Sequence, residues 1–243
     1  MMTGETLQVE QLSRYQLVQT PARLELHDTH DPKVGAVYVD FVEGKAQHRR
    51  KFGGGKGQDI AKAIGLHKFK HPHVVDATAG LGRESFVLAT LGCTVTLLER
   101  SPVVHALLAD GLQRALASDD QETLEIASRM TLYPADAHVW LTELPAVAWP
   151  DVIYLDPMFP DRQKSALVQK EMRFFHEVVG ADPDSDGLLA LAQERAKRRV
   201  VVKRPRHAPE LHGCKPAFVI SGKTVRYDVY LGKATAQEHA HQE

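Results

Sequence analysis

The chain has 243 residues, 43% of them hydrophobic and 25% charged, which allows one large domain, or a domain with an N-terminal extension, around a core of normal size. With 30 Lys and Arg against 31 Asp and Glu, no global charge asks for nucleic acid, so a polyanion partner must meet a local basic patch. Cys93 and Cys214 have neither metal-ligand spacing nor a disulfide framework, the first residues lack the regions of a secretory leader, and no apolar run approaches the roughly 20 residues of a membrane span. The expectation is a soluble, cytoplasmic protein with no metal and no membrane contact.

Residues 1 to 20 are polar and carry little pattern. Arg23 to His27 and Gly35 to Phe41 alternate in polarity, which predicts two short strands, paired as a hairpin. His48-Arg49-Arg50-Lys51 then runs into the glycine-rich stretch Gly53 to Gly57. It is not a phosphate-binding P-loop, because Gly57 follows Lys56 where Ser or Thr is needed. A basic loop over residues 48–57 that closes on RNA phosphates and a solvated charged turn are both open readings. Asp59 to Gly65 reads as a short helix stopped by its glycine. Residues 1–65 form the expected N-terminal extension.

The stretch from Val74 to Glu84 organises the rest. Val74 and Val75 end an apolar run that Asp76 closes, Gly80 and Gly82 make a tight turn, and a helical pattern starts at once with Phe86, Val87 and Leu88. Strand, glycine turn and helix N-terminus make the first unit of a nucleotide-binding α/β sheet. Ser85 stands where a dinucleotide fingerprint wants a third small residue. A carboxylate at the strand mouth repels pyrophosphate but suits a cationic amino-acid tail. Glu99 closes the next apolar run 23 residues on, near the spacing of an acid that grips ribose hydroxyls. Together these residues favour S-adenosylmethionine over a dinucleotide; the bland alternative is a structural turn with a solvent-facing Glu99.

Ser101-Pro102 opens the next helix as cap and first residue. A helix over Gln121 to Ala127 and a strand over Met130 to Tyr133 follow, and Asp136 then serves either an adenine amino group or the next helix as N-cap. Further strands are expected at Asp151 to Leu155, Arg199 to Lys203, Ala217 to Ser221 and Val225 to Leu231, with helices near 164–179 and 186–197. Alternating strands and helices ending in a hairpin imply a mostly parallel sheet with an antiparallel end. Residues 66–232 would form that domain, and 233–243 a polar tail.

Asp156-Pro157-Met158-Phe159 is the most informative site, because ligands bind at the carboxyl ends of strands in open α/β sheets. An exocyclic base amine is a poor nucleophile, its lone pair being delocalised into the ring. Asp156 can accept one of its N–H groups, Pro157 favours a backbone carbonyl facing the site, and Phe159 offers a face for stacking worth roughly 1–3 kcal/mol. The reaction needs no metal and no covalent intermediate; orientation is its main lever. An ordinary strand-end turn is the alternative reading of Asp-Pro.

The strings Val74 to Arg83, Leu98-Glu99-Arg100, Asp156 to Pro160 and Val201 to Pro205 resemble the class I S-adenosylmethionine-dependent methyltransferases. More closely, with Phe41 to Gly44, His48 to Gly55 and Gln163 to Arg173, they resemble the bacterial small-subunit rRNA methyltransferase J family, which methylates N2 of a guanine near the 3′ end of 16S rRNA. The likeness runs from about residue 20 to 231. It implies a Rossmann-like class I fold with a seven-stranded sheet, and 16S rRNA or the small ribosomal subunit as partner. S-adenosylmethionine would be consumed to S-adenosylhomocysteine. To Asp76, Gly80 and Gly82, which the strand and its turn already offer to the donor, the resemblance adds donor contacts at Arg83, Glu84, Glu99, Arg100, Asp136, Ala137 and Asp156; Asp156, Pro157 and Phe159 remain the catalytic set that the chemistry of the amine suggests. Basic groups at Arg49, Arg50, Lys51, Lys164, Lys203 and Arg204 are the candidates for RNA contact. The competing readings are an amino-methyltransferase on DNA adenine or protein glutamine, a non-catalytic ribosome-binding module and, more distantly, a dehydrogenase.

Overall fold

A computed structural model of the chain describes residues 14–31, 33, 35–43, 57–157 and 185–232. The N-terminal strands are β1 (Tyr15–Gln19) and β2 (Leu24–Asp28), paired antiparallel. The hairpin therefore forms one step earlier in the chain than alternation predicts. Thr20 makes the difference: its hydroxyl donates to the Arg23 carbonyl and accepts the Arg23 N–H, closing a turn between two five-residue strands. The stretch from Gly35 to Phe41 adds only an isolated bridge, Val37 to Leu26.

The main sheet has seven strands: β3 (His73–Asp76), β4 (Thr94–Leu98), β5 (Met130–Tyr133), β6 (Val152–Leu155), β7 (Arg199–Pro205), β8 (Phe218–Ser221) and β9 (Val225–Leu231). Their order is β5-β4-β3-β6-β7-β9-β8, parallel from β5 to β7, with β9 antiparallel to both β7 and β8. Chain order runs outward from β3 to β5, then returns to β6 on the other side. The reversal puts a crevice between β3 and β6, at their carboxyl ends.

Strand residues alternate between two cores, as a sheet covered on both faces requires. Val74, Val95, Val152, Tyr154 and Val201 face one layer; Val75, Leu98, Ile153, Leu155, Val200 and Val202 face the other. The first layer holds α1 (Asp59–Ile64), α2 (Arg83–Thr90), α3 (Pro102–Leu116) and α4 (Gln121–Ala127). The second holds α5 (Ala137–Glu143) and α6 (Ser185–Arg195). Ser101 caps α3, accepting the Val104 N–H, and Pro102 fills its first position, as the sequence predicts.

The N-terminal segment is built into the first layer. Leu26, Val37, Val39 and Phe41 are buried with the helices, Phe41 stacks on Phe86 of α2 at 4.7 Å, and Val39 lies against Gly111 of α3. No helix among the described residues is long and apolar enough to cross a membrane.

Candidate active site

The glycine turn after β3 takes the backbone its sequence requires. Gly80 and Gly82 have φ of 53° and 69°, the left-handed region where side chains are strained. The turn is tied to its neighbouring strands: Ala77 N–H donates to the Tyr154 carbonyl and Ala79 N–H to the Leu98 carbonyl.

Glu99, just past β4, is held by the same turn. One carboxylate oxygen accepts the Gly80 N–H at 3.0 Å and the other the Ser101 N–H at 2.7 Å. It is 7% exposed, and burial raises its pKa against those two bonds. A solvent-facing Glu99 is therefore excluded. Asp76 is deeper, at 1% exposure. It accepts the Ser85 hydroxyl and the Thr78 N–H, and burial pushes it up to about 7. Ser85, read in the sequence as a departure from the dinucleotide pattern, thus has a positive task at the carboxylate.

Asp156 follows β6, two residues past the Tyr154 that pairs with Asp76 across the switch point, and its charge adds to the upward push on Asp76. Its N–H donates to the Thr78 hydroxyl at 2.7 Å, so a residue of the glycine turn also positions this strand end. Its side chain is 33% exposed. Lys203, near the end of β7, places Nζ 2.7 Å from Asp156 Oδ2 and 2.8 Å from Glu84 Oε1 in the first turn of α2. Desolvation opposes that ammonium's charge, but Asp156 and Glu84 outweigh it and hold the pKa above the ordinary lysine value. Parallel pairing foretells the contact: Leu155 is opposite Val202, so the next residues of β6 and β7 meet at the crest. Lys203 and Arg204 were the strand-end cations expected at RNA phosphate. The first is bound to two carboxylates; the second is 2% exposed, its guanidinium donating to the Pro209 carbonyl.

Asp136 is an N-cap. One of its oxygens accepts the N–H groups of His138 and Val139, and the other lies 3.9 Å from Arg100. Ala137 is buried beneath it, and Arg83 stands exposed at the start of α2. Arg49, Arg50, Lys51, Phe159 and Lys164 lie outside the described residues, so the expected basic loop and stacking face do too.

The site thus joins Asp76, Glu84, Glu99 and Asp156 around one crevice, with Lys203 as counter-charge. Carboxylates suit the hydroxyls of a ribose and a cationic amino-acid tail, and they repel pyrophosphate. The glycine turn leaves backbone open to close approach. This donor set fits S-adenosylmethionine. Among the described residues no group of three His, Cys, Asp or Glu is placed to hold a metal.

A switch point lined with carboxylates, in a parallel sheet closed by an antiparallel hairpin, defines a class I methyltransferase. The profile of a family of SAM-dependent methyltransferases matches residues 1–232. A ribosomal RNA small subunit methyltransferase J from Aeromonas salmonicida is 58% identical over 223 residues, 92% of this chain and 88% of that protein. Its counterpart from Cellvibrio japonicus is 54% identical over 220 residues, 89% of this chain and 83% of that one. The crystal structure of a SAM-dependent methyltransferase from Neisseria gonorrhoeae aligns with a TM-score of 0.72 at 43% identity, over 89% of this chain and 82% of that one. The chain belongs to the ribosomal RNA small subunit methyltransferase J family of SAM-dependent methyltransferases.

Proposed function

We propose that the chain methylates the exocyclic N2 of one guanine near the 3′ end of 16S rRNA in the small ribosomal subunit. The observation that carries the reading is Asp156: an accessible carboxylate at the switch point, held by Thr78 and Lys203. When bound, S-adenosylmethionine supplies an electrophilic methyl and leaves as S-adenosylhomocysteine, its sulfur keeping the electron pair of the broken bond. The chain's own work is to hold the amine and remove its proton. Asp156 accepts an N2–H, which draws electron density toward nitrogen and fixes the angle of approach. The same carboxylate, or water beside it, takes the proton that the new N–C bond displaces. Glu99, kept rigid by two backbone N–H groups, is the ribose partner, and Asp76, buried beneath the glycine turn, holds Thr78 and Ser85 in place under the amino-acid end. Arg49, Arg50, Lys51 and Lys164 are the proposed phosphate contacts.

The test is incubation with labelled methyl donor and small-subunit particles, or their RNA, from cells lacking the endogenous enzyme. Nucleoside analysis should find the label in N2-methylguanosine. Label in another nucleoside, or none while a second rRNA methyltransferase works on the same preparation, overturns the substrate assignment.

A further inference from the structure

The Lys203 ammonium has three N–H donors and spends one on Glu84 and one on Asp156. At the crest it therefore presents a donor directly beside a two-oxygen acceptor, with 2.7 Å between Nζ and Asp156 Oδ2. Neither group is sealed in: Asp156 is 33% exposed and Lys203 21%. As counter-charge Lys203 uses two of its N–H groups on Glu84 and Asp156, and the third is left for a task of its own.

The Watson–Crick edge of guanine supplies that task. It carries, in a row, two donors, the N2 amine and N1–H, and one acceptor, O6. Asp156 Oδ1, Asp156 Oδ2 and Lys203 Nζ form the complementary row of acceptor, acceptor and donor, the pattern that cytosine offers in a base pair. We propose that Asp156 and Lys203 together read this edge, with Lys203 donating its third N–H to O6 and so selecting guanine. Adenine offers the reverse at the same places. Its ring N1 is an acceptor and would face a carboxylate oxygen, and its N6 amine would face an ammonium. Buried or half-buried polar groups left opposed in this way are the strongest source of discrimination between similar ligands. Bases taken out of a stack are commonly read by hydrogen bonds on this edge. Glu84 is the anchor that keeps Nζ at the crest, so the reader is a triad of which only two members touch the base. The inference rests on the guanine-N2 reading of the site and adds how that base is chosen.

The test uses 16S rRNA completed by ligation of a synthetic 3′ fragment, with guanosine or 2-aminopurine riboside at the target. The analogue keeps the N2 amine and loses both N1–H and O6. Wild-type protein should favour guanosine in kcat/KM by about 100-fold or more. Lys203→Met should shrink that ratio by about tenfold, through loss on guanosine, whereas Lys203→Arg keeps much of it. Equal use of both bases by the wild type overturns the inference, and needs no variant to be soluble. An equal loss on both bases in Lys203→Met also overturns it, leaving the lysine a structural part only. Absence of any methyl on guanosine N2 is a separate result, seen before a ratio is formed, and it refutes the underlying reaction.

Discussion

Asp76 and Asp156 are neighbours with different surroundings, and that difference divides their roles. Asp76 is sealed and pushed up to about 7; Asp156 is open to the crest and joined to Lys203. Replacing Asp156 by Ala should lower methyl transfer by about 10²- to 10⁴-fold, since it removes both acceptor and proton sink. Donor affinity by calorimetry should change far less; wild-type turnover in this variant contradicts the assigned role. The Asp76 prediction concerns stability. Its folded pKa is raised above the unfolded value, so folding favours the proton. The resulting stabilisation is complete below pH 4 and is lost as pH rises through 7. Asp76→Asn cannot ionise, so in thermal melts without donor its gain over wild type should be larger at pH 8 than at pH 5, by about 2 kcal/mol. An equal effect at both pH values would show that Asp76 is not perturbed. At this scale much of the site is legible from residue type and strand position. Asp76, Glu99 and Asp156 all end apolar runs, and all three stand at the crest. Lys203 also ends a run, but the same pattern cannot tell whether its charge meets phosphate or carboxylate. That depends on which strand lies beside β7, a long-range fact.

At the scale of elements, the strand and helix pattern of the described residues from Val74 onward is readable because period-2 and period-3.6 runs are separated by clear turn chemistry, while the helix expected near 164–179 lies outside them. The N-terminal segment is harder. Its strands are short, and Tyr15–Gln19 becomes a strand through the turn at Thr20 rather than through marked alternation. Its burial is also invisible locally, because Val39 and Phe41 find their partners on α2 and α3. Gly111 tests that packing. A Cβ there would stand 2.4 Å from Val39 Cγ1, inside any real contact. Gly111→Ala should therefore destabilise the fold by about 1–3 kcal/mol in denaturant titration. Adding Val39→Ala should recover part of the loss; strict additivity of the two changes would mean that they do not touch. Gly82 is constrained twice, by φ of 69° and by Leu108 Cδ1 at 2.6 Å from a built Cβ. Gly82→Ala should cost stability as well as donor affinity, unlike Asp156→Ala.

At the scale of the molecule, two cores on either side of one sheet fix the crevice, and the cysteines report on that packing. Cys93 is fully buried and its thiol pushed up to about 12 by burial, whereas Cys214 is exposed. A chromogenic disulfide should titrate one thiol in the native protein and the second only after unfolding; rapid reaction of both would contradict the packing around β4. A net formal charge of −1 leaves RNA attraction to local groups. Two of the six cations proposed for it from sequence, Lys203 and Arg204, are bound to protein groups. The central claim is that the crevice between β3 and β6 is where donor and base meet. A crystal structure with S-adenosylhomocysteine tests it most directly. The ribose should lie on Glu99 and the sulfur near Asp156; adenosine bound elsewhere, or a sulfur remote from that carboxylate, would contradict the account.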